Sequence, residues 1–148
     1  MSRFRCTRAA HLFLAAACCH AGIATATVSE SPPQDVFGLV SGKWAWSDKA
    51  DQCTENPHYI SFAPDRKTAY FRVKKPFEHE GKMVSEYSYT VLYSEGNTIT
   101  MLVNGETRRT DYGDRVVWVL ILKDPATYKW RRTDWPPSNS TPNVRRCD

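Results

Sequence analysis

The stretch MVSEYSYTVLYSEGNTITMLVNG, residues 83 to 105, decides the fold. Side chains alternate between the two faces of a strand, and one face of this stretch would carry Tyr87, Tyr89, Val91 and Tyr93. The polar run SEGN then turns the chain into the β-branched segment TITMLV. Asn104–Gly105 follows as a strong hairpin signal, because both residues accept positive φ. The stretch therefore predicts long antiparallel strands joined by tight turns.

The same pattern extends over most of the chain. Turn residues recur about every ten positions, and we find no helical period over eleven or more residues. The predicted strands are KWAWS (43–47), HYISFAP (58–64), TAYFRV (68–73), MVSEYSYTVLY (83–93), TITMLV (98–103), ETRRTDY (106–112), RVVWVLIL (115–122) and TYKWRRTDW (127–135). We expect an all-β fold with a short helix at most. A single antiparallel up-and-down barrel, or a strongly curled sheet of about eight strands, is favoured because closure removes exposed strand edges.

The first 26 residues have the three parts of a secretory signal peptide. A basic start with three arginines precedes the short apolar run AAHLFLAAACC, and Ala24–Thr25–Ala26 fits the small-x-small cleavage rule. The apolar run is too short for a transmembrane span, which needs about 20 apolar residues. The sequence therefore predicts a secreted or periplasmic protein without a transmembrane span.

Three segments follow from this reading. Residues 1–26 are the signal peptide, residues 27–40 are a flexible leader, and residues 41–148 are one barrel domain with an irregular C-terminal tail. A lipid anchor on Cys18 or Cys19 is the less favoured alternative. The position three residues before each cysteine holds alanine, where lipoprotein signals carry a large aliphatic residue.

Removal of the signal peptide changes the charge of the chain. The whole sequence has 20 Lys and Arg against 16 Asp and Glu. Three of the basic residues and none of the acidic residues precede residue 27, which leaves 17 basic and 16 acidic side chains. A near-neutral exported protein is a poor candidate for binding nucleic acid.

Two of the five cysteines, Cys53 and Cys147, lie beyond the signal peptide. In an exported chain two cysteines most simply form one disulfide. The bond would close a loop of about 95 residues and, on the chain-entropy model, stabilise the fold by about 4 to 5 kcal/mol. A redox role is disfavoured because the chain has no C-x-x-C motif.

Two short motifs resemble the lipocalins and the wider calycin barrels. Gly42–Lys43–Trp44 is similar to the G-x-W motif of the first lipocalin strand, and Thr110–Asp111–Tyr112 is similar to the family's T-D-Y motif. The resemblance implies an eight-stranded barrel whose first-strand tryptophan closes the base, while the open mouth takes small apolar ligands. It also implies that Arg131 or Arg132 packs over Trp44, and that a C-terminal cysteine is linked back to the barrel. Trp44 is therefore expected to be a structural plug.

The residues offer no complete catalytic, metal or cofactor set. His58 and His79 are the two histidines of the mature chain, and we expect His58 to be exposed at a strand edge and His79 to lie in a polar loop. There is no G-x-S-x-G elbow and no phosphate-binding glycine loop. A hydrolase would need one of these histidines beside a nucleophile or carboxylate, which makes an enzyme the least favoured class.

A binding module is the favoured function. The candidate ligand-contacting residues are aromatic side chains of three strands, namely Trp46, Tyr87, Tyr89, Tyr93 and Trp118. Tyrosine buries an apolar ring and keeps a hydroxyl that needs a partner, which suits a small apolar or amphipathic ligand. The same row on an outer face would suit a protein partner. An exported inhibitor of a secreted enzyme, or an envelope accessory protein, is therefore the alternative.

Overall fold

Eight antiparallel strands follow one another around a closed barrel in the computed structural model, which describes residues 35–46, 51–79 and 81–147. The strands are β1 Gly42–Trp46, β2 His58–Phe62, β3 Thr68–His79, β4 Lys82–Glu95, β5 Thr98–Val103, β6 Val117–Asp124, β7 Thr127–Arg132 and β8 Val144–Arg146. Each strand pairs with its neighbours in sequence, and β1 closes the barrel against β8. The prediction of an all-β antiparallel barrel is confirmed. The predicted signal peptide, Cys18, Cys19 and residues 27–34 lie outside the described residues.

Two short helices accompany the described strands, α1 (Val36–Val40) and α2 (Gln52–Glu55). Residues 36–40 belong to the segment predicted as a flexible leader, but Val36 and Val40 are buried in the barrel core. The apolar side chains of this turn are what hold it, because they leave water on packing against the barrel. Neither described helix is long and apolar enough to cross a membrane.

The strand count is right, but one predicted strand is wrong. ETRRTDY (106–112) is a loop that makes a single bridge, between Arg109 and Arg115. The segment is mostly polar and charged and has no apolar face to bury. The eighth strand comes from the predicted irregular tail, where Val144–Arg146 pairs with β1 and, over two residues, with β7.

One end of the barrel is closed by α1 and a tryptophan. Trp44 is fully buried, and its indole N–H donates to the Val40 carbonyl oxygen over 2.8 Å. The guanidinium of Arg146 lies over its ring, 4.3 Å from the centroid, and donates to the carbonyl oxygens of Leu39 and Ser41. We call this the α1 end.

The arginine on Trp44 is a correction to the expectation from the lipocalin resemblance. Arg131 and Arg132 pair with β6, opposite Val119 and Trp118, whereas Arg146 is the direct β8 partner of Trp44. Directly opposed residues of an antiparallel pair share a face, so Arg146 is the arginine that reaches the ring. A β-carbon at Gly42 would lie 2.8 Å from Nη1 of Arg146, and Gly42 has φ +135°, which explains the glycine of this motif.

The predicted disulfide is confirmed. Cys53 of α2 bonds to Cys147, the residue after β8, with a Cα–Cα distance of 5.5 Å. The Cys147 N–H donates to the Lys43 carbonyl oxygen, so the bond fastens α2 and the end of β8 to the outside of β1. It holds together the seam at which the shortest strand closes the barrel.

At the opposite end, strands β3 and β4 extend as a two-stranded arm. Their pairing shifts register between Arg72 and Phe77, and the pairs Phe77–Val84 to His79–Lys82 form the distal part. β5 pairs with β4 only from Tyr89 onward, so the arm continues past the last β5 residue. The barrel therefore has a closed α1 end and an open end that carries this arm.

Candidate functional site

A cavity of about 830 Å³ lies at the open end of the barrel. Its walls come from the ends of β1, β6 and β7, from the arm, and from the loop that joins β5 to β6. The lining residues are Trp46, Phe77, Val84, Glu86, Tyr87, Ser88, Tyr89, Val103, Asn104, Glu106, Thr107, Arg108, Trp118, Trp130 and Thr141. The volume is within the usual range of small-molecule sites, about 300 to 1,000 Å³.

Aromatic rings form the floor of the cavity. Tyr89 stacks on Trp130 with ring centroids 5.7 Å apart, and Trp118 meets Trp130 edge-on at 6.2 Å. Tyr87 stacks on Phe71 at 5.5 Å. Interlocked rings of this kind lose little conformational freedom when a ligand binds, so they present a preformed apolar surface.

The hydroxyl groups of Tyr87 and Tyr89 add polar groups to this apolar surface. Burial raises the pKa of Tyr87, and it raises the pKa of Tyr89 well above its usual value. Both phenols are therefore neutral over the ordinary pH range and can donate or accept hydrogen bonds. An amphipathic ligand could use them without bringing a charge of its own to the floor.

Among the described residues that line the cavity, Arg108 supplies the positive charge at the rim. Glu106 is almost wholly buried, with 2% of its side chain exposed, and it binds Arg108 through Nε at 2.8 Å and Nη2 at 2.7 Å. The Arg108 side chain is 56% exposed and lies over the Trp118 ring, 5.7 Å from its centroid. Hydrogen bonding from Arg108 is the main cause that lowers the pKa of Glu106. The carboxylate thus fixes the guanidinium, whose outer edge is open to solvent.

A buried histidine lies below the aromatic floor. His58 shares a hydrogen bond of 2.5 Å with the hydroxyl of Tyr128, and its ring packs against Phe71 and Trp46. Burial lowers the pKa of His58 to about 4 and raises that of Tyr128 well above its usual value. The prediction that His58 is an exposed edge residue is wrong, because closure of the barrel turns its side chain inward.

Four of the five predicted ligand-contacting residues line the cavity, namely Trp46, Tyr87, Tyr89 and Trp118. Tyr93 does not, and 58% of its surface is exposed. The pairing of β4 with β5 shifts between Val91 and Tyr93, and such a bulge reverses the face of the residues beyond it. Whether the four lining residues bind a ligand stays a prediction.

Sequence reasoning missed the Glu106–Arg108 pair and Trp130. The pair does carry a signal, since residues two apart on an extended segment share a face and can form an ion pair. Its position at the cavity depends on a loop that the sequence does not specify. The side chain of His79 lies outside the described residues. Within the described ranges, no group of three or more His, Cys, Asp or Glu residues is arranged to hold a metal ion.

Comparisons with known proteins show no family for this chain. No protein-family model matches the chain, and no curated protein matches it. A solved structure of pallilysin (Tp0751) from Treponema pallidum is similar, with 12% sequence identity and a TM-score of 0.38. The match covers 77% of this chain and 85% of that one.

Proposed function

We propose that this protein is an exported barrel that binds a small apolar or amphipathic molecule in the cavity at its open end. The observation that carries the proposal is the cavity of about 830 Å³, whose floor is a preformed set of aromatic rings. Burial of apolar ligand surface contributes about 25 cal/mol per Å² before the costs of association. Aromatic lining therefore favours an apolar or planar ligand body.

The charge at the rim favours an acidic group on that ligand. The carboxylate of Glu106 is already occupied by Arg108, while the outer edge of the Arg108 guanidinium is open. Arginine binds carboxylates and related anions through parallel N–H donors. The ligand class that fits is an amphipathic molecule with an apolar body and one anionic end.

A lipocalin-like mode of binding is part of this proposal. It is supported by the tryptophan–arginine plug at the α1 end, the glycine beside it and the cavity at the other end. Export is proposed from the N-terminal sequence. The disulfide between Cys53 and Cys147 supports it, because such bonds persist in oxidising compartments.

Titration with the anionic dye 1-anilinonaphthalene-8-sulfonate tests the cavity. We expect Tyr87→Ala to weaken dye binding about tenfold, a loss of about 1.4 kcal/mol. Tyr93→Ala is the matched control, since it removes the same side chain from an exposed position on the same strand. Equal dye affinity for both variants and the unmodified protein would show that the dye does not use this cavity.

A protein-binding module is the second candidate. Several large apolar side chains are exposed outside the cavity, with Met83 at the tip of the arm and Tyr112 in the β5–β6 loop. Single exposed apolar residues are common, but these two lie on the two segments that border the cavity. Loss of a partner on replacing Met83 and Tyr112, with dye binding intact, would favour this candidate.

A further inference from the structure

A second recess lies at the α1 end, away from the cavity described above. Its volume is about 620 Å³, which is within the usual range of small-molecule sites. One wall comes from α1, another from the turn between β2 and β3, and a third from the tip of the β4–β5 hairpin beside Leu122 of β6. Of the described residues, none lines both this recess and the cavity at the open end, so the two are separate.

The barrel core fixes the apolar wall of this recess. Phe37, Leu39 and Leu122 line it. Phe37 meets Phe62 edge-on with ring centroids 5.0 Å apart. Phe37 and Leu39 pack against the barrel core, to which Leu122 belongs. Side chains that are held in this way lose little conformational freedom when a ligand binds, so the recess offers a preformed surface to an apolar group.

An ion pair of two half-exposed side chains also lines the recess. Nη2 of Arg66 donates to Oδ2 of Asp35 over 2.8 Å, and 53% of the Arg66 side chain and 50% of the Asp35 side chain are exposed. The pair uses one nitrogen of the guanidinium and one oxygen of the carboxylate. It therefore leaves Nε and Nη1 of Arg66 and Oδ1 of Asp35 to other partners. A positive and a negative group thus lie side by side next to an apolar wall.

This ion pair can open without a large loss of stability. Ion pairs between exposed side chains contribute little to folding, because water solvates both charges well. A ligand that brings an ammonium to Asp35 and a carboxylate to Arg66 would replace one charge-assisted hydrogen bond with two. A ligand with a single charge that separated the pair would leave one of the two side chains without a partner. The pair therefore favours a ligand that carries both charges.

The backbone of Arg66 has a conformation that favours glycine. Its φ is 58°, in the left-handed region, where the β-carbon is crowded by main-chain atoms. The Arg66 N–H donates to the Ala63 carbonyl oxygen over 2.9 Å, so the turn holds the residue in this conformation. Strained residues of this kind cluster at active sites and ligand sites. The guanidinium of Arg66 lies over the apolar wall, 5.0 Å from the centroid of the Phe37 ring.

We propose that this recess binds an apolar α-amino acid. The carboxylate of the amino acid binds Arg66, whose parallel N–H donors suit a carboxylate, and its ammonium binds Asp35. Its side chain packs on the apolar wall of Phe37, Leu39 and Leu122. The inference goes beyond the proposed function, because it concerns a different site and a ligand that carries both charges.

Isothermal titration calorimetry of the full chain with L-leucine and L-phenylalanine tests the proposal. Each amino acid is compared with two derivatives that keep the apolar group and lose one charge. The N-acetyl derivative has no ammonium, and the amide has no carboxylate. We expect each change to weaken binding by about tenfold or more. Equal affinity for leucine and N-acetyl-leucine would overturn the proposal, because a carboxylate alone would then account for binding.

Variants of the ion pair provide the protein side of the test. Arg66→Gly should keep the melting temperature, because glycine relieves the crowding at this φ, while leucine affinity falls by about tenfold or more. Asp35→Asn should weaken leucine and leave N-acetyl-leucine unchanged, since only leucine has an ammonium. Lys67→Gln is the matched control with unchanged affinity, because Lys67 belongs to the same turn and does not line the recess. Should Arg66→Gly fail to fold, Asp35→Asn decides.

Competition with the naphthalene dye separates this inference from the proposed function. Leucine should not displace the dye, and Tyr87→Ala should not change leucine affinity, because Tyr87 lines the other cavity. Leucine binding that is lost in Tyr87→Ala would place the amino acid at the open end and overturn this inference. Absence of binding by both amino acids would also overturn it, while dye binding that depends on Tyr87 would leave the proposed function standing.

Discussion

One end of this barrel is filled by side chains, whereas the other end keeps a cavity. A ring of strands leaves an opening at each end, and the α1 end is filled by Trp44, a helical turn and the Arg146 guanidinium. The other end keeps a cavity of about 830 Å³ under an arm and a charged loop. The difference shows that aromatic residues of one chain can serve as a plug or as a preformed surface, depending on which end they face.

The amount of backbone at each end accounts for this difference. At the α1 end the strand connections are short. The residues before β1 form α1, whose Val36 and Val40 fill the opening. At the other end β3 and β4 extend past the last residue of β5, and the chain turns at Gly105 into the loop between β5 and β6. The α1 end is therefore closed by side chains of α1 that pack against Trp44 of β1.

The largest expected effect compares one tryptophan at each end. Trp44→Ala should lower the free energy of unfolding by about 3 to 5 kcal/mol, because the ring is fully buried and its removal leaves a cavity. Trp46→Ala, which removes a partly buried ring from the cavity wall, should cost about 1 to 2 kcal/mol. Urea unfolding measures both. Similar losses for the two variants would contradict the distinction between a packed and an open end.

Loss of the disulfide should lower the stability of the whole barrel without changing the cavity. Cys53→Ser is expected to lower the free energy of unfolding by about 2 to 5 kcal/mol, since the bond closes a long loop and holds the β1–β8 seam. Dye affinity measured below the unfolding transition should not change, because neither cysteine lines the cavity. The double variant with Cys147→Ser serves as the control for an unpaired thiol. An unchanged melting temperature would show that the bond is peripheral.

His58 predicts how stability depends on pH. Its pKa is about 4 in the folded protein, because of burial, against an ordinary value of 6.5. Between pH 6.5 and about pH 4, His58 is therefore protonated in the unfolded chain but stays neutral in the folded chain. The stability that neutral His58 allows is fully present above pH 6.5. It is lost as the pH falls from 6.5 to about 4, and the free energy of unfolding then decreases by about 3 kcal/mol in total.

The measurement is the difference between the unmodified protein and His58→Gln in urea unfolding between pH 4 and pH 7. Taking the difference between the two proteins cancels the effect of carboxylate titration, because the same carboxylates are present in both. We expect the unmodified protein to lose more stability on acidification. Parallel curves would mean that the histidine takes up a proton without cost and is not shielded by the aromatic floor.

The smallest expected effect tests the arginine at the α1 end. Arg146→Ala should lower the free energy of unfolding by about 1 to 2 kcal/mol, because its guanidinium lies over Trp44 and bonds to carbonyls of Leu39, Ser41 and Pro125. Arg145→Ala, one residue earlier on β8, is the matched control and should change little. Equal effects would show that the ring is held by packing alone.

Much of the fold follows from local patterns. Alternation between residues 83 and 93, the turn signals and the two remaining cysteines predict strands, an antiparallel meander and the disulfide. These features depend on near neighbours in the chain or on a count, so the sequence shows them directly. The resemblance of Gly42–Lys43–Trp44 to the lipocalin motif predicts that Trp44 closes one end of the barrel.

What the tertiary structure alone decided depends on register and closure. The sequence of the eighth strand shows no strand pattern. The strand forms there because β1 supplies its hydrogen-bond partners and the disulfide holds it beside β1. The arginine on Trp44 is Arg146 because strand register places it there, and His58 is buried because the barrel closes around it. The bulge that turns Tyr93 outward also comes from pairing between strands. Residues distant in the chain determine these features, so no local pattern can contain them.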